Sequence, residues 1–243
     1  MTASLITVPA FASAKDGVRH FFGTRHHSPV AYETGVPSPA ADGERHAWLL
    51  SVKQVHGTDA LIVDRPVTAG DRFEGGWDAL ITDQPRVTVV VKTADCVPVL
   101  VYDRRKNAVA AVHAGWRGAL AGIVPKTIQS MVARFGIQAG DLRVSIGPSA
   151  GPCCYEVDET VLAPLRTRRQ DWPALLRNDR GSKAQLDLKA LVGRQAAESG
   201  ISSAHITIVN VCTICHPALF YSYRREGRVN GTMVSGIALV PRG

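Results

Sequence analysis

Three short stretches of this chain place a metal-capable or polar side chain at the end of an apolar run: QVHG (Gln54–Gly57), TADCVPVL (Thr93–Leu100) and AVHAGWRG (Ala111–Gly118). Strand ends are where a rigid sheet presents side chains to a common cleft. His56, Cys96 and His113 together offer two imidazoles and one thiolate, the donor set of a one-metal catalytic site with three protein ligands and an open fourth position. Each residue alone has a plainer reading: a turn histidine, an inert buried thiol and a hydrogen-bonded core histidine. Their separations are too long to be a metal motif in themselves. A Cys96–His113 pair of the cysteine-hydrolase kind would compete with a metal for the same sulfur lone pairs, but a simple dyad gives His56 no role.

The remaining cysteines read differently. Cys212-Thr213-Ile214-Cys215-His216 matches the C-x-x-C-H pattern of haem attachment. That chemistry needs export. The N-terminal stretch ending in Ala12-Ser13-Ala14 lacks a basic start and is broken by Thr7 and Pro9, so it is expected to be an edge strand rather than a leader. One CxxC falls short of a four-ligand zinc site, so Cys212 and Cys215 are expected to be structural thiols, bound neither to haem nor to zinc. Cys153-Cys154 is read as structural too. Five cysteines is an odd count in a chain too large to need disulfide staples, which fits a reducing, cytoplasmic setting.

The elements that must position these residues are short and β-rich. Apolar runs bounded by Gly, Pro and Asp turns predict strands at Val18–Thr24, Trp48–Val55, Ala60–Asp64, Ala79–Thr82, Val87–Lys92, Val97–Tyr102 and Ala108–His113. Several are apolar throughout, as strands covered on both faces are. Ile128, Met131, Val132 and Phe135 form one helical stripe, with Pro125 in the first turn and Gly136 as the cap. A second helix runs from the N-cap Asp187 to Gly200. Later strands are expected at Arg143–Ile146, Ile206–Val211 and Met233–Val240, and Arg166–Lys183 is expected to be an irregular surface excursion. No linker divides residues 1–243. The order of elements favours a single α+β domain over a doubly wound sheet.

Bulk composition narrows the function classes. Hydrophobic residues at 45% and charged residues at 20% describe an ordinary globular chain. The net charge of +7 comes from scattered groups such as Arg104-Arg105-Lys106, Arg168-Arg169 and Arg224-Arg225, which read as a solvated basic surface compatible with phosphate chemistry. An aromatic content of 6% argues against a base-stacking platform, so no nucleic-acid partner is expected. No apolar run approaches the ~20 residues of a membrane span, so no membrane partner is expected either.

With IGPSAGPCCYEV (Ile146–Val157), CTICHPALFYSYRREG (Cys212–Gly227) and FFGTR (Phe21–Arg25) added to the three stretches above, nearly the whole chain resembles the YfiH-like family, also named the laccase-domain or multicopper polyphenol oxidoreductase family. The resemblance implies a four-layer α/β/β/α sandwich like that of toxin-type cysteine hydrolases. It implies a zinc-dependent purine nucleoside phosphorylase that cleaves adenosine, inosine and methylthioadenosine with phosphate, with adenosine deaminase side activity. The family's metal ligands fall on His56, Cys96 and His113, with zinc as the ion and copper as its alternative. Cleft residues match Arg25, Gln54, Asp78 and Arg117. Two positions depart from the family pattern: His26-His27 replaces a glycine pair, and Thr232 follows Gly231 where an arginine is usual, so that Arg228 substitutes for it or its contact is lost.

Phosphorolysis of an N-glycosidic bond needs cations to hold phosphate against the sugar. Arg25 and Arg117 are the expected phosphate ligands, since a planar fork suits phosphate bidentately. Asp78 is expected as general acid or base, or as the group orienting a metal-bound histidine, and Gln54 as a further catalytic residue. Nucleosides and inorganic phosphate are the expected partners of a monomer or homodimer. The alternatives are a cysteine hydrolase acting on peptidoglycan precursors, a copper-dependent polyphenol oxidase, and a basic nucleic-acid-binding protein. A multicopper oxidase needs many histidines to assemble several centres; this chain has eight, of which two stand in the matched ligand motifs.

Overall fold

The structure is a computed structural model that describes residues 5–11, 17–27, 34–39 and 47–240. Ala12-Ser13-Ala14 lies outside the described residues. Two six-stranded mixed sheets dominate. The first runs, from edge to edge, β1 (Leu5–Ile6), β2 (Val18–Gly23), β15 (Met233–Leu239), β7 (Val87–Thr93), β4 (Trp48–Leu50) and β3 (Ser38–Pro39). The second runs β14 (Ile206–Ile208), β10 (Leu142–Ile146), β8 (Val97–Asp103), β9 (Ala108–Ala114), β6 (Ala79–Thr82) and β5 (Ala60–Val63). The N-terminal stretch does supply an edge strand.

The apolar runs explain the layering. Val87, Val89, Val91 and Ile237 of the first sheet meet Leu80, Leu100, Tyr102, Val109 and Ala111 of the second in one buried cluster. The opposite face of the second sheet carries Ala79, Ile81, Val99, Val101, Ala110 and Val112 into another cluster with the helices. β8 and β9 are therefore buried at every position, as two-sided coverage requires. The α-helices among the described residues are α1 (Trp116–Leu120), α2 (Ile123–Phe135), α3 (Glu159–Arg168), α4 (Leu188–Glu198) and α5 (Tyr223–Glu226). The result is an α+β fold.

α2 buries Ile123, Val124, Thr127, Ile128 and Met131, each large apolar side chain contributing about 1.5–3 kcal/mol. Val132, expected in this stripe, lies at its solvent edge, 37% exposed. Pro125 sits in the first turn, and Gly136 caps the helix with φ 64°. The Asp187 side chain accepts the Ala190 N–H at 2.9 Å and starts α4.

The segment Arg166–Lys183 is a correction. α3 runs through Arg168, and β12 (Leu176–Arg177) pairs with β13 (Lys183–Leu186), which pairs in turn with β11 (Glu156–Asp158). Leu165 and Leu175 are buried under this small sheet. The charges that suggest an irregular excursion are paired instead. Arg169 grips both carboxylate oxygens of Glu198 at 2.6 and 2.8 Å, and Asp171 bridges Arg169 and Arg194.

Candidate functional site

Register alone brings the chemistry together. In the second sheet β6 pairs antiparallel with β9 so that Ala79 faces Val112, and β8 pairs with β9 so that Val97 faces Ala114. One step beyond those pairs, Asp78 stands opposite His113 and Cys96 opposite Gly115. Three neighbouring strands thus end with an acid, an imidazole and a thiol in a row.

Asp78 organises what surrounds it. The Asp78 carbonyl accepts the His113 N–H at 2.7 Å, and its carboxylate takes Nδ1 of the same ring at 2.7 Å. A carboxylate in that position accepts, so Nδ1 carries the proton and the second ring nitrogen is left to face the site. The same carboxylate also accepts the N–H groups of Val55 at 3.2 Å, His56 at 3.0 Å and Gly57 at 2.6 Å. The QVHG loop is thereby wound around a buried anion, with His56 at φ 60°. Burial opposes ionisation of Asp78, but the combined hydrogen bonds from His113 and the loop N–H groups hold its pKa below the ordinary value.

The donor atoms of His56, Cys96 and His113 all lie within 4.8 Å of one another. Cys96 Sγ is 3.9 Å from His56 Nε2, and the two imidazoles meet edge to face with centroids 4.8 Å apart. Burial pushes the Cys96 thiol up, but His113 and His56 together bring it down to about 7. Burial pulls His113 down, but Asp78 and Cys96 raise it to about 9. The triad fits a metal ion by donor type and spacing. The fit depends on Gly115 and Gly118: a Cβ on Gly115 would stand 2.8 Å from His56 Cδ2 and 3.2 Å from Cys96 Sγ, and one on Gly118 would stand 2.7 Å from the Gly57 carbonyl.

These three residues open on a cavity of about 680 Å³, within the usual range for a small-molecule site. Lys53, Lys92, Arg117 and Arg224 line it, with Asp95 as the acid among the described lining residues. Asp95 is itself committed. Its carboxylate accepts from Thr213 Oγ1 at 2.6 Å, Ser222 Oγ at 2.9 Å and the Arg224 N–H at 2.7 Å, which stabilises a backbone φ of 94° next to Cys96. The wall is strongly cationic.

The expected site residues divide. Gln54 and Arg117 line the cavity. The Gln54 amide is fixed on the Lys92 backbone, donating to its carbonyl at 2.7 Å and accepting its N–H at 2.8 Å. The Arg117 guanidinium lies 4.3 Å from the Trp116 ring centroid and makes no ion pair among the described residues. Asp78 is not among the lining residues: it is fully buried behind His113 with both oxygens occupied. Arg25 also stands apart. Its guanidinium donates to the Pro217 carbonyl at 2.5 Å and covers the Tyr221 ring at 4.8 Å, and it is not among the lining residues.

Thr232 lines the cavity and Arg228 does not. The lining cation near that rim is Arg224, stacked 5.1 Å over the Tyr155 ring and donating to the Glu156 carbonyl at 2.5 Å. Sequence reading passed over Arg224, Lys53, Lys92 and Tyr155. The signal for Arg224 was its place in YSYRREG; the lysines gave none. A further correction concerns the CxxC. The pair that it lacked for a four-sulfur cluster is Cys153-Cys154, brought within 4.8 Å of Cys212 and Cys215 by the fold.

Comparison with known proteins agrees with this architecture. The chain is 36% identical over 192 residues, covering 76% of this chain and 71% of the relative, to a protein of Bacteroides thetaiotaomicron named purine nucleoside phosphorylase. It is 32% identical over 195 residues, covering 78% and 74%, to the adenosine deaminase RL5 of an unknown prokaryotic organism. The crystal structure of YlmD from Geobacillus stearothermophilus superposes with a TM-score of 0.79 at 28% identity, covering 99% of this chain and 98% of that one. Residues 39–240 match the family described as multi-copper polyphenol oxidoreductase laccase, and the chain belongs to that family.

Proposed function

We propose that this chain, read as one catalytic domain over residues 1–243, is a zinc-dependent purine nucleoside phosphorylase acting on adenosine, inosine and methylthioadenosine, with adenosine deaminase as a side activity. The observation that carries the reading is the joint placement of a His/Cys/His metal triad and four cations on one cavity wall. The names of the relatives supply the reaction class. The four-layer α/β/β/α arrangement of the toxin-type cysteine hydrolases belongs to this proposal as its fold, resting on the family resemblance and the two-sheet core.

His56, Cys96 and His113 would hold the ion, with one thiolate and two neutral imidazoles leaving it a net positive charge. Such an ion supplies Lewis-acid polarisation of a substrate oxygen or of water. Zinc suits this mixed donor set. The reading as a copper polyphenol oxidase is weaker, because only His56 and His113 accompany Cys96 among the described residues, too few for several copper centres. Arg117, free of any carboxylate partner among the described residues, binds phosphate through its planar fork. Lys53, Lys92 and Arg224 add to the field that holds the anion against the sugar. Asp78 is a positioning residue: it keeps the proton on His113 Nδ1 and shapes the His56 loop. Gln54 positions Lys92 through the backbone.

A second reading has one observation in its favour. In the absence of a metal, Cys96 drawn down to about 7 beside two imidazoles resembles the thiolate of a cysteine hydrolase. Rates of nucleoside cleavage measured with and without phosphate separate the two. The phosphorylase reading expects cleavage to require phosphate and to disappear in Cys96→Ala together with its metal. Cleavage indifferent to phosphate, or a fully metallated Cys96→Ala, contradicts it.

A further inference from the structure

We propose that Cys153, Cys154, Cys212 and Cys215 form a second, structural metal site, a tetrathiolate for a zinc-type ion that braces the loop bearing Cys96. The four sulfurs all lie within 4.8 Å of one another. Cys215 Sγ stands 3.4 Å from Cys153 Sγ and 3.3 Å from Cys154 Sγ. Tetrahedral ligation at about 2.3 Å per sulfur gives edges of about 3.8 Å, within this range. A disulfide would pair Cys215 with one neighbour and break the near-equality of its two contacts. An iron–sulfur cluster interposes several atoms between its thiolates and needs wider spacing.

The main chain is arranged for sulfur anions. The Gly151 N–H donates to Cys212 Sγ at 3.2 Å. The two cysteine loops are joined by a backbone bridge between Ser149 and Cys212. Loading a divalent ion displaces four thiol protons to solvent and leaves a net charge of about −2 on the site. Buried Lys189, donating to the Val211 carbonyl at 3.1 Å, supplies positive charge beside it.

The site reaches the cavity through Asp95. The Asp95 carbonyl accepts the Ala150 N–H at 2.9 Å and its carboxylate accepts Thr213 Oγ1 at 2.6 Å. One donor comes from each cysteine loop, and Asp95 directly precedes Cys96. Tyr155, next to Cys154, lines the cavity. The ion therefore holds part of the cavity wall and takes no part in chemistry.

The inference builds on the first-site reading only in how metals are counted, and one experiment separates the two. Zinc is measured in the reduced wild-type chain and in Cys96→Ala, and Cys96→Ala is then stripped of metal with a chelator under reducing conditions and titrated with cobalt(II). In this variant the four clustered sulfurs are the remaining thiols, so any thiolate-to-cobalt charge-transfer band arises from them. The expected result is two zinc equivalents in wild type, one in Cys96→Ala, and an intense band saturating at one cobalt per chain. Two equivalents in both proteins would refute the first-site ligand assignment and leave the second site standing. One in wild type, none in Cys96→Ala and no cobalt band would overturn the tetrathiolate, as would masses of the freshly purified variant short of hydrogens through disulfide formation. Because Cys153, Cys154, Cys212 and Cys215 are intact in both proteins, the test does not depend on variants of the cluster itself being able to fold.

Discussion

Asp78 holds His113 twice, through its carbonyl to the backbone N–H and through its carboxylate to Nδ1, both at 2.7 Å. The same carboxylate collects three N–H groups from the loop that bears His56. One buried anion therefore sets the position of two of the three proposed metal ligands.

Replacing Asp78 with Asn tests this. The amide keeps the shape but loses one acceptor oxygen and the negative charge. Metal affinity, measured by chelator competition, should fall about 10–100-fold, while the Michaelis constant for phosphate changes little. Unchanged metal affinity with lost activity would return Asp78 to the role of acid or base.

Arg117→Ala should weaken phosphate by the loss of a charge-assisted contact of roughly 1.5–3 kcal/mol. That is about one to two decades in rate at subsaturating phosphate. Metal content should be unchanged, and water-driven deamination should fall less than phosphorolysis. A variant that loses its metal or unfolds would make Arg117 a structural residue of the α1 start.

Gly115→Ala introduces a methyl 2.8 Å from His56 Cδ2 and 3.2 Å from Cys96 Sγ. Its backbone, at φ −70°, accepts alanine without strain. The collision is with the ligand side chains, so metal affinity should drop about tenfold or more, with a stability loss of about 1–3 kcal/mol or less. Elemental analysis after dialysis against a weak chelator, alongside a thermal melt, reads both effects. Full metal retention would show that the ligands are not confined as the geometry implies.

These tests also mark what the sequence made legible. β6 matches its expected bounds, and β7, β8 and β9 match to within one residue, because their apolar runs are long and two-sided. Cys96 and His113 stood out because each bounds such a run; His56 lies beyond β4, which ends at Leu50 rather than at the expected Val55. Arg166–Lys183 was misread because its charges satisfy one another in the fold, which no local pattern displays. The Cys153-Cys154 pair was invisible as the partner of Cys212 and Cys215 for the same reason: the loops meet only through tertiary packing. Asp78 was found, but its burial behind His113 depends on strand register, and Arg25 turned to Pro217 and Tyr221 through contacts about two hundred residues away in sequence.

A pH effect on stability follows from His20. It is buried, its Nε2 accepts the Val8 N–H at 2.8 Å, and burial lowers its pKa from 6.5 to about 4. With the folded value below the unfolded one, the unfolded chain takes up the proton first as pH falls. The contribution is complete above about pH 6.5 and is lost as pH falls from there through about 4, at no more than about 1.4 kcal/mol per pH unit. His20→Gln keeps an acceptor for Val8 and removes the titration. Denaturant melts across this window should show a shallower pH dependence in the variant; identical slopes would place His20 outside the acid response.

The central claim is phosphorolysis at the metal triad, and the sugar product tests it most directly. Phosphorus-31 spectroscopy of the metal-loaded chain with inosine and inorganic phosphate should show ribose 1-phosphate appearing in step with free base, and no such signal with Cys96→Ala. Free ribose formed at a rate indifferent to phosphate, or base released by Cys96→Ala at the wild-type rate, would contradict the account.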